Sequence, residues 1–150
     1  MTVTKLIYKL CYKLKDRKGN SSILGALIVL PVLISLSMNP ILMFLDAQKY
    51  STLEEIAKNY VIRMETEGGL TVEAYTNLLS DLAQAGFNIS KTTITYTSYP
   101  ADIGSEIKLQ ITTEMKMARI SLLGGSLKTN VYKVTVGPYT SVSKKAVSYH

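Results

Sequence analysis

The sequence predicts an α+β protein in which one apolar, membrane-spanning helix runs on into a stem helix, followed by a second helix and a small antiparallel sheet of three or four strands. Three observations predict it. Twenty-seven consecutive residues, Gly19 to Leu45, carry no charge. Beyond them, apolar positions recur at spacings of three and four up to residue 85, and from residue 87 the period changes to two. The chain divides accordingly into a basic segment, 1–18, an apolar helix, 19–45, and an α+β domain, 46–150.

The apolar run Ile23 to Leu45 holds fourteen Leu, Ile, Val or Phe residues. As a helix it extends roughly 34 Å, against about 30 Å of hydrocarbon in a bilayer. Ile23, Leu24, Leu27, Ile28, Leu30, Leu33, Ile34, Leu42 and Phe44 supply the anchor, with Pro31 inside it; Ser35, Ser37, Asn39 and the two prolines weaken insertion without cancelling it. A soluble domain of this size seldom buries so long a helix on every face. A cleaved signal is the other reading, since Ser35-Leu36-Ser37 is a small-x-small triplet, but the apolar sequence resumes with Ile41-Leu42-Met43-Phe44-Leu45 and favours retention.

Charge gives the direction. Residues 1–18 carry Lys5, Lys9, Lys13, Lys15, Arg17 and Lys18 against Asp16, so nearly all of the formal charge of +6 precedes the apolar run. Lys13, Lys15, Arg17 and Lys18 set the topology: positive side inside, the N-terminus in the cytoplasm, and everything after Leu45 on the far side of the cell membrane. That placement removes the reason to expect nucleic acid as a partner. The only cysteine, Cys11, falls in the basic segment, so no disulfide is expected in the exported part.

From Asp46 to Met64, Leu53, Ile56, Ala57, Tyr60, Val61 and Met64 share one helix face, and Gly68-Gly69 should end the helix. Thr71 is the expected N-cap of a second helix with Val72, Tyr75, Leu78, Leu79, Leu82 and Ala83 inward and Gly86 as its stop. Thr92 to Thr97 reads as a first strand. Ile107 to Met117, alternating with Lys108, Gln110, Thr112, Glu114 and Lys116, is the clearest strand, wet on one side and covered by the helices on the other. A third run, Leu127 to Val136, should end at Gly137-Pro138.

The Arg17-Lys18-Gly19 cluster, the segment ALIVLP (Ala26 to Pro31) and the stretch QKYSTLEEIAKNYVIRMETEGG (Gln48 to Gly69) resemble the TadE-like minor pseudopilins of Flp-type (tight adherence) pilus systems, in their shorter Gram-positive branch. The resemblance covers most of the chain in layout. It implies a pilin-like subunit whose partners are the lipid bilayer and other pseudopilins or pilus assembly proteins. One feature departs from the prepilin pattern, which places a glutamate five residues after the cut. Here that position is Leu24 counted from Gly19, or Gly25 counted back from Pro31, so prepilin-peptidase cleavage is not expected; an unpaired ammonium in hydrocarbon would cost a few kcal/mol.

Two packing surfaces suggest themselves. Ser22, Gly25 and Ala26 form a small-residue patch within the membrane, and Leu53, Ile56, Tyr60 and Met64 form a stripe on the stem. If the stripe is buried by its own domain it is ordinary core; if exposed it is a seam between subunits. A membrane-tethered extracellular binding module unrelated to pili is the alternative.

Little chemistry is expected. A single histidine, His150, leaves no histidine triad or histidine metal cluster. Ser105-x-x-Lys108 and Ser141-x-x-Lys144 match a hydrolase spacing that needs a helix, yet lie in expected strand or tail. No enzyme, cofactor, metal or small-molecule substrate is expected.

Overall fold

The computed structural model describes residues 21–121 and 126–145, with side chains from residue 25 onward. Helix α1 spans Ser21–Glu67, α2 spans Val72–Gln84, a single 3-10 turn follows at Ile89–Lys91, and the strands are β1 Thr93–Tyr96, β2 Glu106–Ile120 and β3 Leu127–Val142. The sheet has three antiparallel strands in the order β1-β2-β3. This is the α+β arrangement the sequence predicts.

Apolar segment and stem form one continuous helix that passes through both Pro31 and Pro40. It ends where expected: the Gly68 and Gly69 amides both donate to the Met64 carbonyl at 2.9 Å, closing the last turn. Thr71 caps α2, its hydroxyl accepting from the Ala74 amide at 3.2 Å.

By contacts along the chain, the molecule divides into two units. Of the described residues, the first comprises 21–40 together with 120, 121 and 126–128; the second comprises 41–119 and 129–145. Ile120 and Ser121, where β2 ends, group with the apolar helix and not with the body of the sheet.

Among the described residues, the apolar core lies in the second unit. Leu53, Ala57, Tyr60, Val61 and Met64 of α1 meet Ala74, Leu78 and Leu82 of α2 and the inward face of β2, formed by Ile107, Leu109, Ile111 and Met115. Leu70, Phe87, Ala101 and Val136 close it. At about 1.5–3 kcal/mol for each fully buried large apolar side chain, this cluster is what holds the domain. β2 alternates buried and exposed residues as its sequence demands. Thr113, a polar residue on the inward row, is fully buried, and its hydroxyl is matched by that of Thr92 at 2.8 Å.

Two expectations need correction. The inward face of α2 is set by Ala74, Leu78 and Leu82, four residues apart, while Val72 is 85 % exposed. Position 72 opens the helix, and the small Ala74 is what occupies the contact instead. Gly137-Pro138 does not end β3, which runs on to Val142. Gly137 takes φ +87° and lets the strand pass close over the Leu109 carbonyl, after which Ser143 re-enters the ladder, its amide donating to the Ser105 carbonyl at 3.0 Å and its carbonyl accepting from the Gly104 amide at 2.9 Å.

Candidate membrane anchor

The helix running from Gly25 is long and apolar enough to cross a membrane. Its side chains point outward into open surroundings: Leu27, Ile28, Leu30, Leu33, Ile34 and Phe44 are all exposed, Ile28 to 69 %. Pro31 and Leu42 are half-buried. A contiguous apolar surface of this kind on a long helix calls for lipid or protein around it. Ile23 and Leu24 belong to the same helix, with their side chains outside the described residues. The topology residues Lys13, Lys15, Arg17 and Lys18, and Cys11, also lie outside them.

One stripe of the apolar helix is not open. Pro31 and Val32 are half-buried, Ser35 is fully buried and Asn39 is half-buried. Ser35 and Asn39, four residues apart, face the strand ends at Ile120 and Ser121. The Ser35 hydroxyl donates to the Ser121 carbonyl at 3.1 Å. Asn39 binds both backbone groups of Ile120: its Nδ2 donates to the carbonyl at 3.0 Å, and its Oδ1 accepts from the amide at 2.8 Å. β1 pairs with β2 only from Leu109 to Thr112, so nothing from β1 reaches the backbone groups of Ile120, and the Asn39 amide takes them. By sequence Ser35 and Asn39 are penalties on insertion, and Ser35 also belongs to the small-x-small triplet; neither reading gives them a partner. The available signal was two polar residues four apart, on one face of an otherwise apolar helix.

The small-residue patch and the stem stripe fare differently. Gly25 and Ala26 are exposed, and a Cβ at Gly25 would meet nothing within 4 Å; the Ser22 side chain lies outside the described residues. Leu53, Tyr60 and Met64, by contrast, are buried in their own core and Ile56 is packed against it. The stripe is therefore core and not a seam left free for another subunit, because α2 and β2 already cover it.

Polar contacts tie the rest of α1 to its domain. Asp46, just past the apolar run, pairs with Arg119 at 2.5 Å. The Tyr60 hydroxyl donates to Asp81 at 2.8 Å; burial first, and then that carboxylate, push its pKa up to about 12. The Tyr139 hydroxyl donates to Glu54 at 2.9 Å, and burial together with that bond likewise raises its pKa to about 12. Glu65 accepts from Lys144 Nζ at 2.6 Å and from the Ser141 hydroxyl, and these bonds hold its carboxyl below the usual carboxylate range. Ser141 and Lys144 do converge, but on a carboxylate that consumes both. Ser105 donates to the Asp102 carbonyl and Lys108 pairs with Glu106, so this second Ser-x-x-Lys spacing also brings no serine to a lysine.

Among the described residues no group of His, Cys, Asp or Glu is placed to hold a metal ion. A cleft of about 510 Å³ opens beside the start of α2, with Tyr75, Tyr96 and Tyr99 on its walls and Leu70 and Ser98 among its other lining residues. The rings of Tyr75 and Tyr96 meet at 5.4 Å between centroids.

No protein-family model, no curated protein and no solved structure matches this chain.

Proposed function

We propose that the chain is a single-pass membrane protein, N-terminus in the cytoplasm, that holds its α+β domain outside the cell membrane and serves as a TadE-like minor subunit in assembling a pilus or secretion apparatus. The observation that carries the membrane part is the unbroken helix whose apolar side chains face outward from Leu27 to Phe44. The basic residues before Gly19 support the orientation. Layout and the segments Ala26 to Pro31 and Gln48 to Gly69 support the pilin-like part.

Lateral contacts with other pseudopilins then fall on the membrane helix. The stem stripe is occupied by its own core, whereas Gly25 and Ala26 leave a shallow exposed face where a second helix can approach closely. A tethered binding module is the second reading, favoured by that same burial of the stem and by the tyrosine-walled cleft, which offers flat apolar faces beside hydroxyls.

Extraction of cell membranes tests the first part: the chain should stay with the membrane through high-salt and alkaline washes and dissolve only in detergent. Recovery in the soluble fraction after gentle lysis would end the membrane reading. Deletion of the gene tests the second part. Lost or shortened surface filaments are expected, while filaments of normal number and length would leave the binding-module reading in possession.

A further inference from the structure

From the contacts of Ser35 and Asn39 we infer that the residues where β2 ends and β3 begins, Ile120, Ser121 and Ser126 to Lys128, are a lipid-binding element, held inside the outer boundary of the phospholipid bilayer against the membrane helix. The inference rests on the membrane reading above and adds a second contact surface to it.

Length carries the first step. Lys18 is the last charged residue before the apolar run, and hydrocarbon beginning at Gly19 needs about 20 helical residues to be crossed. That places the far boundary near Met38. A boundary drawn short of the hairpin, at Ile34, leaves about 21 Å of helix from Ser21 at ~1.5 Å per residue, well under the ~30 Å of a bilayer core. The outward apolar side chains do not stop at Ile34 either, since Leu36 and Met38 beyond it are exposed. Lipid that covers them reaches the level of Ser35 and Asn39, and whatever those residues hold is at that level too.

What they hold is suited to lipid. Non-helical backbone survives at membrane depth only where its polar groups find partners within the protein. The Ile120 amide and carbonyl are both taken by Asn39 and the Ser121 carbonyl by Ser35, while the Ser121 amide donates across the hairpin to the Ser126 carbonyl at 2.9 Å. Four consecutive backbone groups are thereby satisfied without water. Leu127, the first residue of β3, directs an apolar side chain outward, 62 % exposed. Lys128 follows it, exposed, with a stem long enough to carry its ammonium back to the phosphate layer. A polar serine and asparagine in a spanning helix thus recruit a strand end into the bilayer, where they would otherwise be unpaired.

The test uses the full chain with Cys11→Ser and one new cysteine at a time, spin-labelled and reconstituted in vesicles of phosphatidylethanolamine and phosphatidylglycerol. Labels at Leu30, Leu127 and Lys91 report the anchor, the hairpin end and the aqueous domain through their collisions with dissolved oxygen, which concentrates in lipid, and with a water-soluble nickel chelate. The expected result is an oxygen-to-nickel ratio at L127C several-fold above that at K91C and approaching that at L30C. In the N39L background the L127C ratio should fall toward the aqueous value while L30C keeps its own. A lipid-like L30C with a water-like L127C overturns the inference and leaves the anchor standing. A water-like L30C overturns the anchor and the inference together. Equal, lipid-like ratios at L127C and K91C also overturn it, since they mean general adsorption of the domain and not a held hairpin end.

Discussion

At the scale of single residues, the polar groups that matter are those satisfied by one partner each. Tyr60 is buried, and its hydroxyl donates a hydrogen bond to Asp81. Removing the hydroxyl in Tyr60→Phe should cost about 1.5–3 kcal/mol, the range for a hydrogen bond to a charged group, measured by urea unfolding of the detergent-solubilised protein at neutral pH. The folded pKa of about 12 lies above the ordinary tyrosine value of 10. The contribution is therefore complete below pH 10 and is lost as pH rises toward 12, because the unfolded tyrosine ionises first. The stability gap between wild type and Tyr60→Phe should accordingly close between those two values, and a gap constant up to pH 12 would contradict the assignment. Asn39 is the corresponding residue in the first unit. Asn39→Leu leaves the Ile120 amide and carbonyl unpaired, at roughly 1–3 kcal/mol for each; faster exchange of the Ile120 amide and a lower melting temperature should follow.

At the scale of elements, the unexpected length of β3 depends on one glycine. A Cβ at Gly137 would stand 2.6 Å from the Leu109 carbonyl oxygen and 2.8 Å from the Tyr139 nitrogen, on a backbone with φ +87°. Gly86 has a similar φ of +82° at the end of α2, but a Cβ there meets nothing within 4 Å. The pair separates strain from collision. Gly86→Ala should cost about 1–2 kcal/mol, the left-handed penalty alone. Gly137→Ala adds backbone overlap and should lower the urea midpoint by clearly more, with β3 losing amide protection on both sides of position 137. Equal losses for the two substitutions would show that the close approach to Leu109 is relieved without cost.

At the scale of the molecule, every apolar core residue among the described residues falls between Leu53 and Val136, and all lie in the second unit. A chain beginning at Asp46 should therefore keep its packed core while the hairpin end loses Ser35 and Asn39. Hydrogen exchange on such a fragment is expected to show protection retained at Leu109 and Ile111 and lost at Ile120. Unchanged protection at Ile120 would mean that the apolar helix contributes nothing to the hairpin. The helices, the stop at Gly68-Gly69, the cap at Thr71 and the alternating β2 were all readable beforehand, since each is written in local spacing or in a single capping side chain. Gly137-Pro138 is a turn signal locally, and only the close approach to the Leu109 carbonyl in the folded sheet shows that the strand continues through it.

The chain by itself determined the long apolar helix, its charge asymmetry and the order of two helices and three strands, because hydrophobic period and uncharged length are properties of neighbouring residues. Tertiary structure decided what no spacing contains: that Leu53, Tyr60 and Met64 are covered by their own α2 and β2, and that Ser35 and Asn39 have a strand end to hold, 86 and 81 residues away along the chain. A side chain's periodicity says which way it faces on its helix. Which surface meets it there is settled only when distant segments compete to bury the same apolar area and satisfy the same polar atoms.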